Sequence, residues 1–398
     1  MKVRAQKIEQ LESLRGLAAL IVFFSHFMLA FAPQRHGYIP GAIEGSNLME
    51  TPLFFLINGT ASVSLFFVLS GFVLSLGFFQ KPERPIISAA LRRWPRLLPI
   101  ALASTVLSFA LYKCGLYYYK EASEITHSEW MSKFAYAPQQ LSEANTFIEA
   151  VTQGAFLTFF RSSADSWLNT SLWTMHLELI GSFIVFGATA VVRNARPLEA
   201  MVVFALIGVA AFFGNVYLPL FIAGNCLAYL HSRYPFNRVP VPKAVSFSCI
   251  IVALLVFSYM DPGKGIYKVT AKLGPFEVYL RVFAHGVASL ALIYIALIDK
   301  NVQKILSIRP LYFLGRVSFP LYALHVPLIF SFSAGLFLYW GKRYGYESAV
   351  IATLVATLLI LLPLSFVFAA LDQRWCAFLR SRATADFAGS AVVDMPKS

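Results

Sequence analysis

The sequence predicts an all-α membrane protein, a polytopic bundle of about ten transmembrane helices with both termini in the cytoplasm. Of its 398 residues, 58% are hydrophobic and only 13% are charged, and the mean hydropathy is +0.65. Soluble domains are less apolar and carry about a quarter charged residues. The apolar residues also gather into successive segments of about 20 residues, the length that an α-helix needs to cross a bilayer.

The predicted spans cover most of the chain and end where charged or turn-forming residues interrupt the apolar runs. They lie near residues 14–32, 53–79, 97–119, 171–192, 198–214, 216–231, 244–260, 276–298, 311–335 and 348–371. The second is long enough to tilt or to include a broken helix, whereas the fifth and sixth are short. We expect one membrane domain over residues 1–380 and a disordered tail over 381–398, which shows no amphipathic period.

The loops between the spans indicate how the bundle is oriented. The basic start MKVRAQKIEQ lacks a small-residue cleavage pattern, so the first span is expected to be retained. With the N-terminus inside, the cytoplasmic loops receive about twice as many Lys and Arg residues as the opposite side. The largest outer segment, about 120–170, contains the amphipathic stretch TFIEAVTQGAFLTFF, which predicts an interfacial helix at the outer surface.

The composition disfavours several other classes of protein. The net charge of +13 is scattered between apolar spans, which indicates positive-inside loops and not a nucleic-acid-binding face. The four cysteines are far apart and include no CxxC pair, so we expect no disulfide framework. No His, Asp or Glu cluster has metal-ligand spacing, and no G-x-S-x-G elbow indicates a serine hydrolase.

The first span carries Arg15 near its start and His26 in its interior, both costly in hydrocarbon. Eleven residues rotate an α-helix by about 1100°, within about 20° of three full turns, and rise about 16 Å. Both side chains should therefore share one helix face. His26 is predicted to act as a general base, with a packing histidine as the alternative. Arg15 is predicted to contact the anionic end of a substrate, with membrane anchoring as the alternative.

The stretch LRGLAALIVFFSH, with its Arg-x10-His spacing, resembles the opening motif of the acyltransferase 3 family of integral-membrane acyltransferases. Later stretches resemble the same family in the same order, so the resemblance covers nearly the whole chain. These stretches are SLFFVLSGFVLSLGF with Ser70 and Gly71, ALRRWPRLLP with Arg93 and Arg96, SLWTMHLELIG with Trp173 and Glu178, and FLGRVSFPLYALHVPL with Arg316, Tyr322 and His325. Gly71 is expected to let a backbone or an acyl chain approach closely.

The resemblance implies transfer of an acyl group, most often acetyl, from cytoplasmic acyl-coenzyme A to a hydroxyl of a cell-envelope or exported carbohydrate. We expect His26 and Glu178 to be catalytic, since both lie at a similar depth from the outer surface. The further site residues are expected to be Arg15, Arg93, Arg96 and Arg316 for the donor, and Trp173, Tyr322, His325 and Ser70 for the substrate.

Within that mechanism, Glu178 orients the imidazole of His26 or the acceptor, and Arg316 or Tyr322 meets the oxyanion. Alternatives from the residues themselves remain open. Arg93 and Arg96 also fit plain positive-inside charge, Glu178 also fits a structural ion pair, and direct transfer is not distinguished from a covalent histidine intermediate. Arg281 and His285 line an outer acceptor cavity or anchor the membrane interface.

The expected partners are acyl-coenzyme A as a donor substrate, a carbohydrate acceptor that is free or lipid-linked, and membrane lipid. We expect no permanently bound cofactor, no metal and no nucleic acid, and a location in a bacterial inner membrane. The rival interpretation is a transporter or a flippase for a lipid-linked glycan. A transporter predicts inverted repeats and paired broken helices, which the sequence does not show.

Overall fold

The computed structural model describes residues 8–37, 47–135, 146–161, 167–234, 241–260, 267 and 276–393. These residues form helices and connecting turns, with no β-strand among them. The helices are α1 (Glu9–Phe31), α2 (Pro33–His36), α3 (Gly59–Gln80), α4 (Ile86–Leu91), α5 (Arg93–Lys113), α6 (Tyr119–Thr126), α7 (Glu129–Ser132), α8 (Phe147–Thr152), α9 (Thr158–Phe160), α10 (Thr174–Val192), α11 (Pro197–Gly214), α12 (Leu218–Arg233), α13 (Lys243–Phe257), α14 (Glu277–Ile298), α15 (Lys300–Leu306), α16 (Arg309–Leu328), α17 (Ala334–Tyr344) and α18 (Tyr346–Val393).

Eight helical segments in the described residues are long and apolar enough to cross a membrane. They are Glu9–Phe31, Gly59–Gln80, Ile86–Lys113, Thr170–Val192, Pro197–Gly214, Glu277–Ile298, Arg309–Tyr344 and Tyr346–Leu379. The predicted all-α, multi-pass architecture is therefore confirmed. The sixth and seventh predicted spans differ, because α12 has 16 residues and α13 has 15, fewer than the about 20 that a full crossing needs. The cytoplasmic termini stay a prediction.

The bundle has two distinguishable ends. At the basic end, Arg193 donates to the carbonyl of Pro82, which joins the end of α10 to the loop after α3. At the opposite end, which we name the cap end, Ser128 donates to the carbonyl of Leu29 near the end of α1. Helix α1 therefore starts at the basic end and finishes at the cap end.

Two helix pairs pack with their backbones in contact, and glycines allow this approach. A Cβ on Gly16 would lie 2.4 Å from the backbone nitrogen of Gly315, where α1 crosses α16. A Cβ on Gly71 would lie 2.0 Å from the carbonyl oxygen of Phe221, where α3 crosses α12. Small residues at such crossings are a common packing device in membranes. The close backbone approach expected at Gly71 is confirmed.

Helix α16 contains two prolines, Pro320 and Pro327, and continues through a π-helical turn, Ile329–Ser333, into α17. Pro327 has no N–H, so it cannot bond to the carbonyl of Ala323 one turn earlier. The side-chain amide of Asn169 donates to that carbonyl instead, at 2.8 Å. The unpaired backbone group is therefore satisfied by a residue from the start of the α10 segment.

The predicted outer helix is present over Phe147–Phe160 and includes a π-helical turn, Gln153–Leu157. Residues 136–145 and 162–166 of the same predicted segment lie outside the described residues. The last helix runs on to Val393, past the domain boundary predicted at residue 380. The boundary and the disordered tail stay a prediction, and residues 394–398 lie outside the described residues.

Candidate active site

Two histidines from distant parts of the chain meet inside the bundle. Nδ1 of His26 lies 2.7 Å from Nε2 of His325, and the two ring planes differ by only 7°. Nδ1 of His325 lies 2.6 Å from the backbone carbonyl oxygen of Tyr322. His325 is fully buried, whereas His26 is partly accessible. The structure therefore joins the predicted base to a second imidazole through one hydrogen-bonded chain.

The direction of this chain follows from the chemistry of its last member. A carbonyl oxygen only accepts, so His325 must donate from Nδ1 to Tyr322. When His325 is neutral, its Nε2 is an acceptor, and His26 must donate from Nδ1. The lone pair of His26 then resides on Nε2, to which no described residue is hydrogen-bonded. The arrangement prepares Nε2 of His26 to accept a proton.

Arg15 lies on the same face of α1, as its spacing from His26 predicts. Its Nε donates to Ser318 at 3.1 Å, and its Nη2 donates to Glu12 at 2.5 Å. Arg15 and His26 thus both contact α16, at Ser318 and at His325. These two positions are seven residues apart, which is about 10 Å along an α-helix. The arginine and the imidazole are therefore held at two levels of one helix pair.

Glu178 is placed differently from the prediction. Its carboxylate accepts a hydrogen bond from Ser70 at 2.7 Å and forms an ion pair with the buried Arg93, which also donates to Ser182. No described contact joins Glu178 to His26. The hydroxyl of Tyr322 donates to the carbonyl of Ser171, which places the residues just before α10 at the level of the histidines. Glu178 lies about one to two helical turns further toward the basic end. Among the described residues, His325 is the hydrogen-bond partner of His26, and a catalytic role of Glu178 stays a prediction.

The arginines predicted to bind the donor fall into two groups. Arg93 is buried and held by Glu178 and Ser182, and the charges of Arg15 and Arg96 both act on it. Arg96 is exposed and donates to the thiol of Cys376 at 2.8 Å. Arg316 is exposed too, and no described residue pairs with it. Arg15, Arg96 and Arg316 therefore keep N–H groups that an anionic ligand can bind.

Of the two residues expected to meet the oxyanion, Tyr322 is engaged within the protein and Arg316 lies further along α16, and their roles stay a prediction. The hydroxyl of Tyr322 donates to the carbonyl of Ser171 at 2.6 Å and lies 3.1 Å from Thr174, so its proton is already engaged. Arg316 precedes His325 by nine residues, a separation of about 13 Å along the helix. Tyr322 instead anchors α10 with its side chain and orients His325 with its carbonyl.

A family model described as an acyltransferase domain matches residues 8–370. The chain belongs to the acyltransferase 3 family. Acyltransferase clz18 of Cochliobolus lunatus is 22% identical over 405 residues, covering 85% of this chain and 86% of the relative. Acyltransferase R4 of a Phoma species is 23% identical over 418 residues, with the same coverage of both chains. No solved structure matches this chain. The protein is therefore a multi-pass membrane acyltransferase.

Other polar residues of the acyltransferase support its architecture at the cap end. His285 donates to the carbonyl of Tyr259 at 2.6 Å, and Arg281 donates to the carbonyl of Met260 at 3.2 Å. Both contacts tie α14 to the residues that follow α13. Trp173, expected to bind substrate, packs its ring against Tyr217, with centroids 5.8 Å apart. Within the described ranges, no three His, Cys, Asp or Glu side chains form a group that suits a metal ion.

The acyltransferase also contains two contacts to this region that the sequence did not reveal. Trp130 of α7 stacks on the ring of His26, with centroids 5.0 Å apart and planes within 15°. His36 of α2 lies 3.3 Å from Ser25, the neighbour of His26, and burial lowers the pKa of His36 to about 3. Both lie in segments without a recognised motif, so only the folded chain brings them to α1.

Proposed function

We propose that this acyltransferase transfers an acyl group, in the first instance acetyl, from acyl-coenzyme A to a hydroxyl of a carbohydrate. The observation that carries the proposal is the pair of histidines, which leaves Nε2 of His26 as an oriented proton acceptor. An alcohol is a weak nucleophile until its proton is removed, so O-acylation needs such a base. The family and the names of both relatives favour an enzyme over a transporter or flippase.

In the proposed reaction, Nε2 of His26 removes the proton from the acceptor hydroxyl as its oxygen attacks the thioester carbon. The new C–O bond forms, the C–S bond breaks, and the proton passes from Nε2 to the leaving thiolate, which gives free coenzyme A. His325 keeps Nδ1–H of His26 in place throughout, since its own Nδ1–H is held by the carbonyl of Tyr322. This direct transfer needs no covalent enzyme intermediate.

The donor is proposed to enter from the basic end, which the positive-inside rule assigns to the cytoplasm. Arg15, Arg96 and Arg316 would bind its phosphates, because guanidinium groups form strong charge-assisted bonds to phosphate. The pantetheine arm then runs along the α1–α16 pair and brings the thioester to His26. Arg93 neutralises the charge of Glu178 and holds α5 and α10 together between the histidines and the basic end.

The experiment is label transfer from radioactive acetyl-coenzyme A to a panel of glycans by the purified acyltransferase in detergent. Label in a glycan that disappears with His26→Ala supports the proposal. His176→Ala is the matched control, because His176 lies in the same bundle but contacts the carbonyl of Phe159. Movement of a lipid-linked glycan across liposomes without incorporation of label would support the flippase and contradict the enzyme.

The proposed orientation is tested separately by cysteine labelling in sealed cells. Single cysteines introduced within residues 85–92 should react only with reagents that reach the cytoplasm. Those introduced within residues 120–135 should react with an impermeant reagent added outside. The reverse pattern would place the arginines on the wrong side for a cytoplasmic donor. The bacterial inner membrane stays a predicted location.

A further inference from the structure

The segment of residues 116–135, which we name the cap, covers the two histidines at the cap end of the bundle. It contains α6 and α7 and is bonded to both helices that carry the histidines. The backbone N–H of Tyr118 donates to the carbonyl of Phe330 at 3.0 Å, and the Ser128 hydroxyl donates to the carbonyl of Leu29 at 2.6 Å. The cap is therefore docked onto the bundle by a few specific contacts.

Apolar side chains of the cap fill the space over the site. Trp130 is 4% exposed, and Met131 and Phe134 are also buried. The indole of Trp130 lies between His26 and Phe330, with ring centroids 5.0 Å from each. One face of the predicted base is therefore covered by a side chain from the cap.

The cap is also where the described backbone is most strained. The non-glycine residues with positive φ among the described residues are His127, Phe134 and Ala135, and all three belong to the cap. Residues with side chains avoid this region, so it persists only where surrounding contacts impose it. Gly115, at φ +68°, directly precedes the cap. Residues with positive φ thus lie before α6, between α6 and α7, and after α7.

We propose that the cap is a gate for the acceptor and that Trp130 is the residue that closes it over His26. In the docked state, the indole and its neighbours block the approach to His26 from the cap end. Undocking at the strained joints would lift Trp130 and admit a hydroxyl-bearing acceptor. The identity of the admitted molecule as the acceptor of acyl transfer rests on the proposed function. The gating itself does not depend on that function.

The experiment measures access to position 26 without donor or acceptor. His26→Cys is introduced after the four native cysteines are replaced by serine. Its reaction with a small, membrane-impermeant sulfonated methanethiosulfonate is followed in sealed membranes, with the reagent added only on the side that exposes the cap. With Trp130 present, the rate should level off as reagent is increased, because opening of the cap then limits the reaction. Trp130→Ala should raise that limiting rate by about tenfold or more, given the contact area of an indole.

Two further variants separate gating from damage to the fold. Ser128→Ala removes the bond to Leu29 that docks the cap, together with the N-cap bond that Ser128 accepts from the backbone N–H of Met131 in α7. It should raise the limiting rate by about fivefold or more, as loss of neutral hydrogen bonds predicts. Glu129→Ala is the matched control, since Glu129 is half-exposed on the same helix and its side chain pairs with Lys133 alone among the described residues. It should leave the rate unchanged. Each variant must elute as a single species with a Tm close to that of the parent that carries only His26→Cys and the serine replacements.

Equal labelling rates in the parent, Trp130→Ala and Ser128→Ala would overturn the gate. So would a rate that rises in proportion to reagent without levelling off while Trp130 is present. Neither outcome bears on acyl transfer, which is measured separately with the unaltered chain and labelled acetyl-coenzyme A. Conversely, absence of acyl transfer together with gated labelling would leave the cap as an access gate and refute only the identity of its occupant.

Discussion

The ion pair between Arg93 and Glu178 offers the sharpest test of how this site is organised. Sequence reasoning assigned Arg93 to donor binding and Glu178 to catalysis, whereas the structure joins them to each other. Their side chains are only 9% and 12% exposed, and Ser182 and Ser70 complete their hydrogen bonds. We therefore predict that Arg93→Gln acts mainly on stability.

The expected magnitude follows from burial. Removing one member of a buried ion pair leaves the other charge uncompensated and costs about 3–5 kcal/mol. With an unfolding entropy of about 2 cal/mol/K per residue over the whole chain, this lowers the Tm by about 4–6 °C. Glu178→Gln should give a similar loss. The double variant should lose less than the sum of the two single variants, because it leaves neither charge unpaired.

The assay is thermal unfolding of the four proteins of this double-mutant cycle in one detergent, with the KM for acetyl-coenzyme A measured in parallel. Arg92→Gln is the matched control, because the neighbouring Arg92 has no described partner and should leave the Tm unchanged. An Arg93→Gln variant with an unchanged Tm and a KM raised about tenfold would refute this reasoning, since that change is typical of a lost phosphate contact.

The remaining predictions concern the relay, the donor, the helix crossing and pH. His325→Ala should lower kcat by about 10²–10³-fold at nearly constant donor KM, because His26 loses the group that fixes its tautomer. Arg96→Gln should raise the donor KM about tenfold without changing the Tm, since Arg96 is exposed. Gly315→Ala should lower Tm and activity together by forcing α1 from α16, at about 1–3 kcal/mol. Because burial lowers the pKa of His36 to about 3, the unfolded chain alone gains a proton as pH falls below about 6.5. Stability should therefore decrease from pH 6.5 toward 3, and His36→Gln should flatten this dependence of the Tm.

Each of these predictions has an outcome that contradicts it. A His325→Ala enzyme with normal kcat would show that the second imidazole does not support the base. A changed Tm in Arg96→Gln would assign that arginine a structural role. Wild-type activity in Gly315→Ala would mean that the α1–α16 distance does not set the site. An equal pH dependence of the Tm in His36→Gln would exclude His36 as its source.

Much of the site could be predicted where the information is local. The shared face of Arg15 and His26 follows from helix geometry, because both residues lie on one uninterrupted helix. The donor role of the arginines stays a prediction, and exposed Arg96 and Arg316 suit it better than buried Arg93 does. The roles expected for Glu178 and Tyr322 assumed side chains without partners inside the protein. The folded chain pairs Glu178 with Arg93 and Tyr322 with Ser171, and both roles stay predictions.

The amino-acid sequence by itself determined that this chain is a helical membrane protein, since the lengths of its apolar segments leave no other way to satisfy the backbone in lipid. It also determined which face of α1 carries the polar pair. Only the tertiary structure decided which groups face that pair: His325, 299 residues from His26 along the chain, and Trp130 from the cap. Such contacts depend on how helices cross, which glycines such as Gly16 and Gly315 permit but no local pattern specifies.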